Sequence, residues 1–134
     1  MAQKKSEKVL IIYSDYYSEI SSNLLKGATL YLKKNNILFE KQRVDGSLEL
    51  PFYLQKNWKT FFGFVILGCV IRGETEHYDI VKNISLNEIY SFAYKNLIPL
   101  GSAVLTVNNY QQALERSKVD KKNLGGNAAK VCHN

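Results

Sequence analysis

Apolar and polar positions come in blocks along the chain, and the period of each block predicts an element. Residues 9–14 form a short apolar run suited to a buried strand. Ile20, Leu24, Ala28 and Leu32 then recur every fourth residue, with Leu25 widening the stripe, as a packed helix requires. Asn35 and Asn36 stop that helix. Residues 38–44 alternate well enough for a second strand, and Asp45-Gly46 reads as a turn. An apolar segment begins at Leu48, with Pro51 in the first turn of a helix. The continuous apolar run at 63–71 predicts a third strand. The helix after it is expected to turn Val81, Ile84, Ser85, Ile89 and Phe92 to one side, with Asn83 and Asn87 outward. Pro99 ends that connection, residues 103–107 make a fourth strand, and residues 110–117 make a short helix. Gly125-Gly126 precedes a last helical segment.

Strands alternating with helices imply right-handed crossovers and a parallel sheet covered on both faces, so every strand-to-helix loop opens on one edge. Four loops converge there: Asp15 with Tyr16 and Tyr17, then residues 46–49, then 72–77, then 108–110. Open α/β sheets bind their ligands at that edge, outside the carboxyl ends of the strands.

A chain of 134 residues, 46% hydrophobic, has material for one core rather than two. A single domain over residues 1–134 is expected, with residues 1–8 as a flexible arm and a short C-terminal helix. The net charge of +6 comes from eighteen Lys and Arg against twelve Asp and Glu, and the basic residues are scattered. Such an excess helps to hold phosphorylated metabolites. Without zinc-finger spacing or an RNA-reading aromatic motif, nucleic acid is not expected as a partner. Cys69 and Cys132 are too far apart in sequence to suggest a metal cluster or a disulfide framework, which fits reduced thiols in a cytosol. No metal site is expected. The first apolar run is too short for a signal-peptide core, and no run reaches membrane-spanning length. A soluble cytoplasmic protein with no membrane partner is expected.

The most informative stretch is Gly-Cys-Val-Ile-Arg-Gly-Glu-Thr-Glu-His-Tyr-Asp at 68–79, where the buried strand runs into a polar loop with one histidine. His77 is of a residue type that both takes and gives a proton near neutrality, as condensation chemistry at amines and carbonyls requires. On position alone it is equally a surface histidine in a first helical turn. The Gly73-Glu74-Thr75 turn opens a helix, so its free N–H groups can hold an anion, or its glycine can serve backbone geometry only. Neither a phosphate-cradling Gly-x-x-x-x-Gly-Lys nor a Gly-x-Gly-x-x-Gly is present, which disfavours nucleoside triphosphates and dinucleotides. Glu49 is a candidate for binding a polyol or a plain first-turn glutamate. Arg116 is a candidate phosphate fork or a solvated arginine, and Tyr16 a stacking platform or a cover for the core.

Taken together these segments resemble the lumazine synthase family over nearly the whole chain. Residues 68–79 are similar to that family's strand and loop around its catalytic histidine. Gly46-Ser47-Leu48-Glu49-Leu50-Pro51 is similar to its Gly-Ala-Phe-Glu-x-Pro segment. Val104-Leu105-Thr106 followed by Gln112-Ala113-Leu114-Glu115-Arg116 resembles its next motif pair. The resemblance implies an α/β fold, a three-layer domain with a four-stranded parallel sheet in flavodoxin-like order and helices on both faces. It implies condensation of 5-amino-6-(ribitylamino)uracil with 3,4-dihydroxy-2-butanone 4-phosphate to 6,7-dimethyl-8-ribityllumazine, phosphate and water. No cofactor is implied. On this resemblance His77 shuttles protons, while Arg116 and the Gly73, Glu74 and Thr75 backbone hold phosphate. Tyr16 stacks on the pyrimidine, Ser47 and Glu49 bind the ribityl chain with Leu48 beside them, and Cys69, Val70 and Ile71 read the uracil. The family forms pentamers or multiples of pentamers with sites between neighbours, so Ser102, Arg116 and residues 123–127 are expected from the adjacent subunit.

The chain departs from the family at Ser102, where an aromatic is usual, and at Tyr17, where Asn is usual. It also departs at Leu124 and Asn127, where Lys and Glu are usual. Those departures raise one alternative, a catalytically weakened homologue that binds flavin or lumazine or acts as a scaffold.

Overall fold

A computed structural model describes residues 7–74 and 77–134. Its strands are β1 (Val9–Ser14), β2 (Phe39–Val44), β3 (Gly63–Ile71) and β4 (Leu100–Val107). Its helices are α1 (Ser18–Lys34), α2 (Leu50–Asn57), α3 (Tyr78–Asn96), α4 (Tyr110–Ser117) and α5 (Leu124–His133). All pairings are parallel and the order is β2-β1-β3-β4, so the α/β class, the four strands and the flavodoxin-like order are as expected. Strand β3 is buried at each of its nine positions because it has a neighbour on both sides and helices over both faces.

Alternation along β3 feeds two cores. Val65, Leu67, Cys69 and Ile71 face α1, α4 and α5, where Ile20, Leu24, Ala28, Leu32, Ala113 and Ala129 are among the residues they join. Phe64 and Ile66 face α2 and α3, with Leu50, Leu54, Ile89 and Ala93. The every-fourth stripe of α1 is therefore its buried face: Ile20, Leu24, Ala28 and Leu32 are each 0% exposed. Pro51 sits in the first turn of α2, where its missing N–H costs no helical bond.

Several expectations are corrected. Ile84 does not lie on the inner side of α3. Ser85 takes the inward position at 0% exposure, and Ile84 stands 48% exposed, one turn after the similarly exposed Ile80. Strand β4 begins at Leu100 rather than 103, and α5 begins at Leu124, so the glycine pair lies inside the helix instead of ahead of it. Residues 1–6 of the expected arm lie outside the described residues, whereas Lys8 is fastened to the sheet. Its carbonyl accepts the Phe62 N–H at 2.9 Å and its ammonium meets the Glu40 carboxylate at 3.2 Å.

The glycines explain both shifted boundaries. Helix α5 crosses β4 and α1 so closely that a Cβ on Gly101 would lie 1.7 Å from the Ala128 carbonyl oxygen, and one on Gly125 would lie 2.2 Å from that of Leu24. Asn123, in the left-handed region at φ 49°, starts α5 by accepting the Gly126 N–H on its side chain at 3.2 Å. Gly101→Ala must push backbone against backbone, and a loss of about 3 kcal/mol is expected, the upper end for overpacking. Denaturant unfolding at fixed protein concentration measures it; an unchanged midpoint would contradict this packing.

Candidate active site

The carboxyl ends of β1, β2 and β3 border a cleft of about 360 Å³ lined by Tyr16, Tyr17, Asp45, Gly46, Ser47, Leu48, Glu49, Cys69, Val70 and Val81. Its floor is the last part of β3. Its walls are the loop leading into α1 and the 3₁₀ turn Ser47–Glu49 that leads into α2. The wall can approach the floor because β3 carries glycine at the crossing. A Cβ on Gly68 would stand 3.1 Å from both Ser47 Oγ and Leu50 Cδ1.

Ser47 is buried, and its hydroxyl has no hydrogen-bond partner among the described residues. Its carbonyl, in contrast, is held from behind by the Ser85 hydroxyl, which donates across 3.0 Å from the fully buried face of α3. An orphaned buried hydroxyl is costly unless something in the cleft satisfies it, which gives Ser47 a natural role toward a polar ligand. Tyr16 is 70% exposed at the rim, edge-on to Tyr17 with ring centroids 4.9 Å apart. An aromatic ring held that far out of the core is free to meet a flat ligand. Leu48 and Glu49 are exposed on the opposite rim.

Charge at the mouth is arranged around Arg43. Its Nε donates to Asp15 at 2.6 Å and its Nη2 meets Asp45 at 2.9 Å, and hydrogen bonds to Asp15 first and Asp45 second raise its affinity for its proton. Burial and the Glu74 carboxylate push the Tyr17 phenol well above its ordinary range, so it keeps its proton and can donate. Burial, with a further contribution from Glu74, pushes the Cys69 thiol up from 9.0 to about 12.

The β3–α3 loop stands beside this cleft. Gly73 has φ +84° and a Cβ there would meet nothing within 4 Å, so glycine is required by backbone conformation rather than by space. The Glu74 N–H donates to the Ile71 carbonyl at 3.3 Å, and the Ile71 side chain is 1% exposed, so Ile71 closes the turn while Cys69 and Val70 form the cleft surface. Thr75 lies outside the described residues. His77 is exposed at the N-cap of α3, where its carbonyl accepts the Val81 N–H at 2.8 Å. Val81, one turn on, is the residue of α3 that lines the cleft.

Ile71, Gly73, Glu74 and His77 stand beside the cleft without lining it, and two further expected site residues lie away from it within one chain. Ser102 is on β4, paired in register with Ile66, hydrogen-bonded to the Tyr90 hydroxyl and lining a separate groove with Tyr94, Leu124 and Asn127. Arg116 is on the last turn of α4 and is half-buried. Sequence reasoning missed Asp45, read only as a turn residue, and Val81, read only as core. It took Tyr17 for a departure rather than a lining residue. The signal for Asp45 was its place beside Gly46 in one of the converging loops. No group of three or more His, Cys, Asp and Glu residues suited to a metal ion occurs among the described residues, and no helix among them is long and apolar enough to cross a membrane.

A family model for 6,7-dimethyl-8-ribityllumazine synthase matches residues 6–134. The 6,7-dimethyl-8-ribityllumazine synthase of Bartonella tribocorum is 41% identical over 131 residues, covering 96% of this chain and 87% of that protein. Those of Bartonella henselae and Paramagnetospirillum magneticum are also 41% identical. The first covers 95% of this chain and 84% of its own length, the second 93% and 89%.

The raised thiol values carry a chemical consequence. With Cys69 at about 12 and Cys132 at about 11, both stay protonated at pH 8. Alkylation by iodoacetamide, followed for each cysteine by mass spectrometry, is expected to run at least about tenfold slower than for free cysteine. It should accelerate only as the pH climbs toward those values; fast labelling of Cys69 at pH 8 would contradict its burial.

Proposed function

This chain belongs to the 6,7-dimethyl-8-ribityllumazine synthase family, and we propose that its reaction takes place in the cleft at the ends of β1, β2 and β3. Its activity is the step of riboflavin biosynthesis that gives 6,7-dimethyl-8-ribityllumazine. The substrates are 5-amino-6-(ribitylamino)uracil and 3,4-dihydroxy-2-butanone 4-phosphate, and phosphate and water leave. The comparisons give no support to a scaffold or binding homologue.

The observation that carries the assignment is the mixed character of the cleft. One side is an exposed ring at Tyr16, the other a polar turn with the unpartnered Ser47 hydroxyl and the Glu49 carboxylate, and the floor is the Cys69–Val70 stretch of β3. A flat pyrimidine fits against Tyr16 with its edge toward the β3 backbone, and its ribityl hydroxyls reach Ser47 and Glu49. The phosphate of the second substrate goes to the Gly73-Glu74 turn ahead of α3, where the helix dipole favours an anion.

The chemistry needs little beyond that arrangement. The primary amine of the pyrimidine attacks the ketone and water leaves to give an imine; phosphate is eliminated to leave an enol that tautomerises to a ketone, and the ribityl-bearing nitrogen attacks that carbonyl, closing the second ring as a second water leaves. Each step moves a proton near neutral pH, which His77 at the head of α3 serves by taking and returning it. Holding both molecules together replaces a bimolecular encounter and supplies about 7 kcal/mol or more. His77 therefore refines a site whose main contribution is proximity.

A second copy completes the site. The outer face of β4 is half-covered, and beside it stand Tyr94 and Val131 at 73% and 61% exposure. An apolar surface of that kind fits against another protomer. Such packing would carry Ser102 and Arg116 to a neighbour's cleft, which their own chain does not offer. A pentamer or a multiple of pentamers, working in the cytoplasm without membrane or nucleic-acid partners, is the assembly we favour.

Mixing both substrates with the assembled protein is expected to give lumazine absorbance and phosphate in equal amounts; no product at high protein concentration would overturn the reading. Arg116→Ala is expected to raise KM for the butanone phosphate by about tenfold or more, the loss of a charge-assisted fork, while KM for the pyrimidine stays within about twofold. Equal losses for both substrates would remove Arg116 from the phosphate site. His77→Ala should lower kcat by about tenfold, less than the usual acid–base contribution because proximity carries most of the rate.

A further inference from the structure

Arg72 is the first residue after β3, and the proposed reaction gives it no task. Its surroundings are specific. The backbone N–H donates to the Val107 carbonyl at 2.8 Å, continuing the β3–β4 ladder one residue past the strand. The Nε donates to the Asn108 side-chain oxygen at 3.2 Å, and the guanidinium carbon stands 4.8 Å from the ring centre of Tyr78. Tyr78 is 7% exposed and is the first residue of α3, directly after His77. Asn108 is itself held, its N–H donating to the Gln112 side chain at 2.8 Å, and the adjacent Asn109 caps α4 by accepting the Gln112 N–H at 2.9 Å.

One planar side chain thus touches the far end of its own loop and the loop that begins α4. We propose that Arg72 is a positioning residue: its guanidinium clamps the head of α3, and with it His77, against the β4–α4 loop. The inference rests on the proposed roles of His77 and the phosphate turn. A guanidinium suits the task and an ammonium does not, because stacking on a ring while directing Nε at a fixed acceptor needs a flat, rigid donor. The same contacts set α4, and hence Arg116 on its last turn, in register with α3.

Two measurements on the assembled protein decide it. In Arg72→Met, amide exchange at residues 77–82 is expected to accelerate about fivefold while β3 amides are unchanged, the scale of losing one exposed cation–ring contact. In turnover assays Arg72→Met should lower kcat about tenfold with KM for the pyrimidine unchanged, and Arg72→Lys should not restore it. Asn108→Ala should lower kcat in the same sense, and adding it to Arg72→Met should cost little more, as expected for two groups acting as one unit. Unchanged exchange overturns the clamp. Faster exchange with unaltered kcat overturns its role in positioning. Recovery by Arg72→Lys, with the loss confined to KM for the phosphate substrate, would make Arg72 a simple charge for the anion and overturn it as well. If the unmodified protein gives no product, the proposed function fails, and the exchange measurement still decides whether the clamp exists.

Discussion

The complete burial of β3 is the constraint on which the rest depends. Nine successive buried residues require a strand on each side and a helical layer on each face, which the order β2-β1-β3-β4 supplies. The same burial sends everything polar to the strand's carboxyl end, where Cys69 and Val70 are the last groups of the core and the first surface of the cleft. Gly68 then admits the Ser47 turn to within contact of the strand. Cleft and core are one continuous piece of packing around the strand that holds the two faces apart.

On the face that carries α1, α4 and α5 the chain packs by removing side chains rather than by filling space. Gly101 and Gly125 let the α5 backbone lie against β4 and α1, and Ala128 and Ala129 complete the contact. On the other face, α2 and α3 leave the outer half of β4 uncovered, with Tyr90, Tyr94 and Leu100 around it. This asymmetry has a functional side. The closed face gives rigidity behind the cleft, and the open face is where the proposed second protomer would bring the residues the cleft lacks.

Much of this was legible in the sequence because the informative features are local. The bounds of β3 and α4 and the buried stripe of α1 follow from unbroken apolar runs or a regular period, and the ordered motifs around Glu49, His77 and Arg116 carried the family. What was not legible depends on distant partners. Gly125-Gly126 reads as preceding a helix, and the fourth strand reads as starting after Gly101, because a glycine in a sequence looks the same whether it ends an element or admits a neighbouring backbone. Ile84 reads as core by period alone, since nothing local tells which of two apolar stripes on α3 the sheet will take. The contact of Arg72 with Asn108 joins residues 36 apart in sequence and has no local signature.

We assign one half of a shared reaction site to the cleft beside Gly68 and the head of α3. A crystal structure of the assembled protein with 6,7-dimethyl-8-ribityllumazine and inorganic phosphate tests it most directly. The bicyclic ring is expected against Tyr16, the ribityl chain at Ser47 and Glu49, and phosphate between the Gly73-Glu74 turn and an Arg116 contributed by a neighbouring protomer. A ring bound in the groove beside Tyr90 and Ser102, with the Tyr16 cleft empty, would contradict it.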